Sequence, residues 1–211
     1  MAESLLLVDS DVFALLSAVG LMDELTMALG LTRDAVRRLP ALGKQLQPNK
    51  SIGRKYPEPQ RQQALRECEA TQVFVDRPQD HALQARLTRV ENIDVGEAAL
   101  LAALAEQPGW LLTTGDKRSL IALGQANELA DVRDNVRGRI VALETAILLL
   151  VQRLGASEVG RRFQSIPGAH TTIDIFFRYK QTFDDAESIA QITSYLNDLR
   201  QKMGDDLLFP V

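Results

Sequence analysis

The sequence predicts a three-layer α/β/α fold with a central, mainly parallel sheet of four to five strands and a C-terminal helical extension. Short apolar runs alternate with helix-like segments over roughly the first 150 residues, as expected for successive βαβ units. The first of these runs lacks polar–apolar alternation, which favours a strand buried on both faces of a parallel sheet. Beyond about residue 155 the strand pattern fades. We therefore expect an α/β domain over residues 1–154 and a helical extension over residues 155–211.

Four apolar runs are the predicted strands. The first, residues 4–8, reads Ser-Leu-Leu-Leu-Val and stops at Asp9-Ser10-Asp11, a sequence that can cap the helix behind it. The other three predicted strands are residues 72–75, 110–114 and 138–143.

Capping residues and apolar periodicity predict the helices. One helix begins within residues 31–36 and ends near Pro40, and residues 47–59, rich in Pro and Gly, are predicted as a loop. Phe176 and Phe177 are expected to be packing residues. An apolar seam in the last helix has two interpretations, contact with the domain core or a homodimer contact. The remaining predicted helices cover residues 12–16, 21–29, 60–70, 80–90, 94–105, 144–154, 157–164 and 185–203, with another directly after Asp116.

Composition excludes several classes of protein. The chain is 45% hydrophobic and 25% charged, which is typical of soluble globular proteins. The one cysteine, Cys68, excludes an internal disulfide and a thiolate zinc site, and His81 and His170 are too few for a histidine-rich metal site. The first residues lack the basic flank of a signal peptide, and no apolar run approaches the roughly 18 residues of a membrane span. We expect a cytoplasmic protein without a membrane partner.

The net charge of −4 is unevenly distributed. Nine basic and two acidic residues between positions 32 and 66 give that segment a net charge of +7, so the rest of the chain carries −11. A basic segment on an acidic body can steer a polyanion such as RNA towards one face, and a solvated charged surface is the alternative. On the first interpretation the candidate nucleic-acid-binding residues are Arg33, Arg37, Arg38, Arg54 and Lys55.

Three acidic residues lie where a parallel sheet builds its sites. Asp9 follows the first predicted strand, Glu97 lies in the first turn of the Ala/Leu-rich helix, and Asp116 follows the strand at residues 110–114. Carboxylates brought together repel one another unless a cation neutralises them, and Mg²⁺ or Mn²⁺ prefers such oxygen ligands. These cations can activate water and stabilise phosphoryl transfer. Each acid could equally be a plain helix cap or turn residue, so the prediction depends on their joint placement.

Three short motifs resemble those of PIN-domain nucleases, in the order and spacing of that family over roughly the first 150 residues. The opening strand and turn, LLLVDSDV at residues 5–12, is similar to the family's first motif. The helix start DVGEAALLA at residues 94–102 resembles that of one branch of the superfamily. The third motif is LLTTGDKR at residues 111–118, which is similar to the following strand and its acidic end.

The resemblance implies that Asp9, Glu97 and Asp116 are catalytic metal ligands, with Asp11 nearby as a further candidate. It implies that the hydroxyls of Ser10 and Thr114 orient those ligands. The implied activity is Mg²⁺- or Mn²⁺-dependent cleavage of RNA, single-stranded RNA being the expected substrate. Many such nucleases are the toxin of a toxin–antitoxin pair and form homodimers, so an antitoxin and a second copy of the chain are the expected protein partners.

The chain departs from the family pattern at two acids. Arg38 stands where the family usually has a glutamate, and Asp34 lies one helical turn earlier. A further acid expected soon after Asp116 is missing, with Asp131 and Asp134 as later candidates. Such a site could hold one metal ion instead of two, or could have lost catalysis.

Two other functions remain open on the sequence. A catalytically degenerate PIN-like domain would serve as an RNA-binding or protein-interaction module, with Arg38 as its signature. A phosphatase of the haloacid dehalogenase type would use Asp9 as nucleophile and Asp11 as acid/base, but Val12 and Phe13 replace the Gly-Thr that usually follows. A dinucleotide-binding Rossmann module is disfavoured, because no Gly-x-Gly-x-x-Gly motif follows a predicted strand.

Overall fold

The computed structural model describes residues 4–47, 55–75, 80–204 and 207–211. Within these residues the centre of the molecule is a sheet of four parallel strands in the order β2-β1-β3-β4. Leu7 of β1 lies opposite Arg37 on one side and Leu112 on the other. This parallel sheet between helices confirms the predicted α/β fold class. The strands are β1 (Leu6–Val8), β2 (Val36–Arg38), β3 (Leu111–Thr114) and β4 (Ile140–Ala142).

The strands β1 and β4 are apolar because the protein buries them on both faces. Every residue of β1 and β4 is buried, and Leu6, Leu7 and Val8 are completely covered. The predicted strand at residues 72–75 is much shorter in the structure, where Val73 alone forms a bridge to Arg38 at the edge of the sheet. The apolar run thus predicts the central strand β1 better than it predicts the edge segment at residues 72–75.

The predicted helix between residue 31 and Pro40 is wrong. Arg33–Ala35 forms a single 3-10 turn, and the chain then continues as β2. Proline disfavours a helical conformation in the residue before it, so a helix here had little room. Val36 is only 1% exposed and pairs with Leu6, so pairing with β1 overrides the helical pattern of the segment.

The remaining predicted helices are present, with ends that move by a few residues. None of the helices in the described ranges is long and apolar enough to cross a bilayer. The helices are α1 (Ser10–Ala18), α2 (Met22–Ala28), α3 (Leu42–Gln45), α4 (Glu58–Ala70), α5 (His81–Thr88), α6 (Val95–Glu106), α7 (Lys117–Gln125), α8 (Ala130–Val136), α9 (Leu143–Leu154), α10 (Ala156–Phe163), α11 (Thr171–Ile173) and α12 (Asp185–Met203), and a π-helical turn, Asp174–Arg178, continues α11.

The C-terminal helices pack onto the α/β domain through α7 and α9. The seam of α12 is buried within the chain, so its interpretation as a core contact is confirmed for Ile192, Leu196, Leu199 and Met203. Phe176 and Phe177 are buried as predicted, the latter stacked on another phenylalanine of the extension. Residues 155–203 therefore share one hydrophobic core with the sheet.

Candidate functional site

Asp9 lies directly beyond the carboxyl end of β1, at the N-cap of α1. Its Oδ1 accepts a hydrogen bond of 2.6 Å from the backbone N–H of Ser10. The Thr114 hydroxyl, at the end of the neighbouring strand, lies 3.5 Å from Oδ2 of Asp9. The backbone N–H of Asp9 also donates to the carbonyl of Thr113, which holds the two strand ends together. The hydroxyl of Thr114 is thus placed to orient the Asp9 carboxylate.

Glu97 belongs to a capping box at the start of α6. Its backbone N–H donates to Asp94 Oδ1 at 2.8 Å, and its own Oε2 accepts from the backbone N–H of Asp94, also at 2.8 Å. This arrangement satisfies two backbone donors at the helix terminus and fixes the Glu97 side chain against it. The local sequence Asp-Val-Gly-Glu therefore has a structural role in addition to any chemistry of Glu97.

Asp116 lies two residues beyond the end of β3 and caps α7. Its Oδ1 accepts from the backbone N–H groups of Arg118 at 2.8 Å and Ser119 at 3.2 Å. The guanidinium of Arg118, a largely exposed side chain, lies 3.3 Å from Oδ2. The backbone N–H of Asp116 donates to the Thr114 hydroxyl, so Thr114 links Asp116 to Asp9.

All three carboxylates line one cavity of about 1020 Å³. Asp9 and Asp116 reach it because the carboxyl ends of parallel strands meet at one edge of the sheet. Glu97 reaches it from the first turn of α6. Ser10 and Asp11 line the same cavity, so the structure brings the predicted ligands and their predicted neighbours together. Residues that the sequence prediction did not include also line it, among them Leu39, Gln45, Asp94, His170, Thr171, Thr172 and Ile175.

Burial and neighbouring acids disfavour the charged forms of Asp9 and Glu97 in the cavity. Burial raises the pKa of Asp9 to about 6, and the charges of Asp11, Asp94 and Asp116 add to the effect. Burial likewise raises the pKa of Glu97 to about 7, with further contributions from Asp116 and Asp94. Both groups would ionise more readily beside a cation.

The pKa values of Glu97 and Asp116 shift in opposite directions. The pKa of Asp116 is lowered: burial opposes its charge, but the backbone donors of Ser119 and Arg118, the Glu97 carboxyl and the Arg118 guanidinium outweigh burial. Interaction with the Asp116 carboxyl conversely favours the protonated form of Glu97. Glu97 is therefore the more readily protonated of the two carboxyls, and Asp116 the more readily ionised.

The carboxylate oxygens of the cavity suit a hard divalent cation, but the three carboxylates would have to move closer together to hold one. Within the described ranges, no group of three or more His, Cys, Asp or Glu side chains is arranged to hold a metal ion. Glu97 and Asp116 line the same part of the cavity and their carboxyls interact, so a cation could replace the proton that Glu97 binds. Asp9 would have to approach this pair to complete a three-carboxylate site. Oxygen ligands alone favour Mg²⁺ or Mn²⁺ over zinc.

Part of the cavity wall comes from the C-terminal extension. His170, Thr171 and Thr172 belong to the cap and first turn of α11 and line the cavity together with Ile175. No motif in residues 155–211 pointed to this role. The one available signal is the sequence Gly-Ala-His-Thr-Thr, in which a histidine precedes a short helix behind a glycine turn.

Most of the predicted RNA-binding arginines make contacts within the protein. Arg33 forms ion pairs with Asp23 at 3.2 Å and Glu67 at 2.6 Å. The Nε of Arg38 donates to the carbonyl of Cys68 at 2.7 Å.

Arg37 donates to the carbonyls of Asp34 and Val36. Arg54 lies outside the described residues. Lys55 is half-buried and close enough to the cavity that its charge lowers the pKa of His170. Lys55 thus lies close to the cavity, whereas Arg33, Arg37 and Arg38 contact other parts of the protein.

Comparisons with protein-family models, with curated proteins and with solved structures give no match to this chain. The geometry of the carboxylate cavity and the sequence motifs around it are therefore the basis for assigning a function.

Proposed function

We propose that the protein is a metal-dependent ribonuclease that hydrolyses phosphodiester bonds of single-stranded RNA in the carboxylate cavity. The observation that supports this proposal is the convergence of Asp9, Glu97 and Asp116, which are far apart in sequence, on one cavity beyond the sheet. Three acids at helix caps need not share a cavity, whereas ligands of one ion must. The raised pKa values of Asp9 and Glu97 favour a cation as the missing partner.

Asp9, Glu97 and Asp116 would hold the cation. Mg²⁺ or Mn²⁺ bound there would supply polarisation of the phosphate and activation of a water molecule. Thr114 would keep the two strand-end carboxylates oriented through its contacts with both, and Ser10 would fix Asp9 through its backbone N–H. The Asp116–Arg118 ion pair would open, or Arg118 would turn towards the phosphate, as the ion enters.

The alternative is a catalytically degenerate RNA-binding or protein-interaction module. Two observations favour it: the pairing of Asp116 with Arg118, and the lack of a group of three metal-ligating side chains in the described residues. On either proposal an antitoxin partner and a homodimer remain predictions from the sequence resemblance, and a cytoplasmic location remains a prediction from the composition and the first residues.

Cleavage of a labelled single-stranded RNA distinguishes the two functions. The nuclease proposal predicts cleavage in Mn²⁺ or Mg²⁺, none in chelator, and loss of cleavage in Asp9→Asn. The matched control is Asp198→Asn on α12, whose exposed side chain pairs with Lys202 on the surface, and this variant should cleave normally. Cleavage that survives Asp9→Asn would exclude the proposed site. RNA binding that persists in chelator without any cleavage, and weakens steeply with salt, would support the binding module instead.

A further inference from the structure

His170 presents a hydrogen-bond donor at the cavity. Its Nδ1 accepts the backbone N–H of Thr172 at 3.2 Å, as the N-cap of α11. In a neutral imidazole one nitrogen accepts and the other carries the proton, so the Nε2 of His170 is the N–H. Burial lowers the pKa of His170, and the charges of Lys117 and Lys55 oppose those of Glu144 and Asp11. The ring therefore donates from Nε2 without carrying a charge.

The Nε2 atom lies against the end of β3. A Cβ atom at Gly115 would stand 3.6 Å from this nitrogen and 3.4 Å from Val12. Gly115 connects Thr114 to Asp116, whose backbone N–H donates to the Thr114 hydroxyl. Gly115 lines the same cavity as His170. Nε2 of His170 thus lies within contact distance of the residue that joins Thr114 to Asp116.

A buried ion pair holds the first turn of α11 in place. Lys117 Nζ lies 2.5 Å from Oε1 of Glu144, whose side chain is 1% exposed. The hydroxyl of Thr172 donates to the same Oε1 at 3.3 Å. Lys117 also lies 5.7 Å from the centre of the Tyr195 ring on α12. The C-terminal extension is therefore held in place by Lys117, the residue that directly follows Asp116. The same contacts fix the position of His170.

We propose that the Nε2–H of His170 donates a hydrogen bond to a non-bridging phosphate oxygen of the RNA bound in the cavity. This inference rests on the proposed function. The acids that surround the cavity repel a phosphate, so the substrate needs donors on another part of the wall. The extension supplies this donor on the part of the wall lined by His170 and Thr171, whereas Asp9 and Asp116 beyond the strand ends supply acceptors. The extension is thus part of the substrate site.

Substitutions at His170 distinguish its role as a hydrogen-bond donor to RNA from its structural role as the N-cap of α11. His170→Asn keeps an oxygen that can cap the N–H of Thr172, because asparagine is a preferred N-cap residue, but it removes the Nε2 donor. We expect roughly tenfold to hundredfold weaker affinity for short oligouridylate and oligoadenylate alike, measured in chelator, as for loss of a hydrogen bond to a charged group. His170→Gln, whose amide can reach the position of Nε2, should recover part of the affinity. The matched control, His81→Asn at the exposed start of α5, should bind as the original protein does.

A second measurement covers the case in which His170→Asn does not fold. In the unmodified protein the ¹⁵N signal of Nε2 should be that of a protonated nitrogen and should move on addition of RNA. Unchanged affinity in a folded His170→Asn variant, or an Nε2 signal that RNA does not move, would overturn the proposal. Cleavage by the original protein tests the nuclease function separately: a protein that binds RNA through His170 in chelator but never cleaves it would refute catalysis and retain this contact.

Discussion

Replacing Asp9 by asparagine should stabilise the protein at neutral and alkaline pH. Burial and neighbouring acids raise the pKa of Asp9 from its ordinary value of 3.8 to about 6. Between these two pH values the folded protein binds more protons than the unfolded chain, so stability falls as the pH rises. The full penalty, about 3 kcal/mol, is present above pH 6. Asparagine cannot ionise, and its oxygen can still accept the N–H of Ser10.

Thermal and urea unfolding in chelator measure this effect. At pH 8 we expect Asp9→Asn to raise the midpoint by roughly 6–12 °C, and near pH 4 the difference should vanish because the folded protein then carries Asp9 protonated. Asp134→Asn, which alters an exposed ion pair, should change stability by less than about 0.5 kcal/mol at either pH. A variant that is no more stable than the original protein at pH 8 would refute the idea that the Asp9 carboxylate is held in an unfavourable field.

Two further predictions concern the attachment of the extension. Lys117→Met should lower the free energy of unfolding, measured in urea, by about 3 kcal/mol, because it leaves the buried carboxylate of Glu144 without its cation. Adding Glu144→Leu should restore most of the lost stability. A single variant as stable as the original protein would contradict the pairing. Gly124→Ala should cost about 1–3 kcal/mol, since its Cβ would overlap the backbone of α12. Gly43→Ala, whose Cβ meets its nearest neighbour at an ordinary 3.9 Å, is the control and should be nearly neutral.

The acidic residues could be predicted because each has a local signal. Asp9 and Asp116 directly follow apolar runs that become central strands, and Glu97 completes a capping box. Parallel strands end at one edge of the sheet, so the positions of Asp9 and Asp116 along the chain predict that these two residues share a cavity, whereas Glu97 was added through the motif at the start of its helix. The sequence does not determine their pKa values, because the opposite shifts of Glu97 and Asp116 depend on the positions of their side chains relative to each other.

The contribution of the extension could not be predicted from local patterns. His170 reaches Gly115 only because α12 and Glu144 hold the first turn of α11, and these contacts span dozens of residues. The segment that becomes β2 was missed for a similar reason. Its helical pattern is local, whereas its pairing with β1 is a tertiary contact that buries Val36. Local periodicity does not report such long-range pairings.

Calorimetric titration of the metal-free protein with Mn²⁺ in two buffers of different ionisation enthalpy tests the central claim most directly. If Asp9, Glu97 and Asp116 form a cation site, Mn²⁺ should bind and release a proton near neutral pH, because burial raises the pKa of Glu97 to about 7 and the ion displaces its proton. Asp9→Asn should weaken binding, and Glu97→Gln should abolish the proton release. Equal Mn²⁺ binding by the original protein and both variants, or no binding by any of them, would contradict the claim.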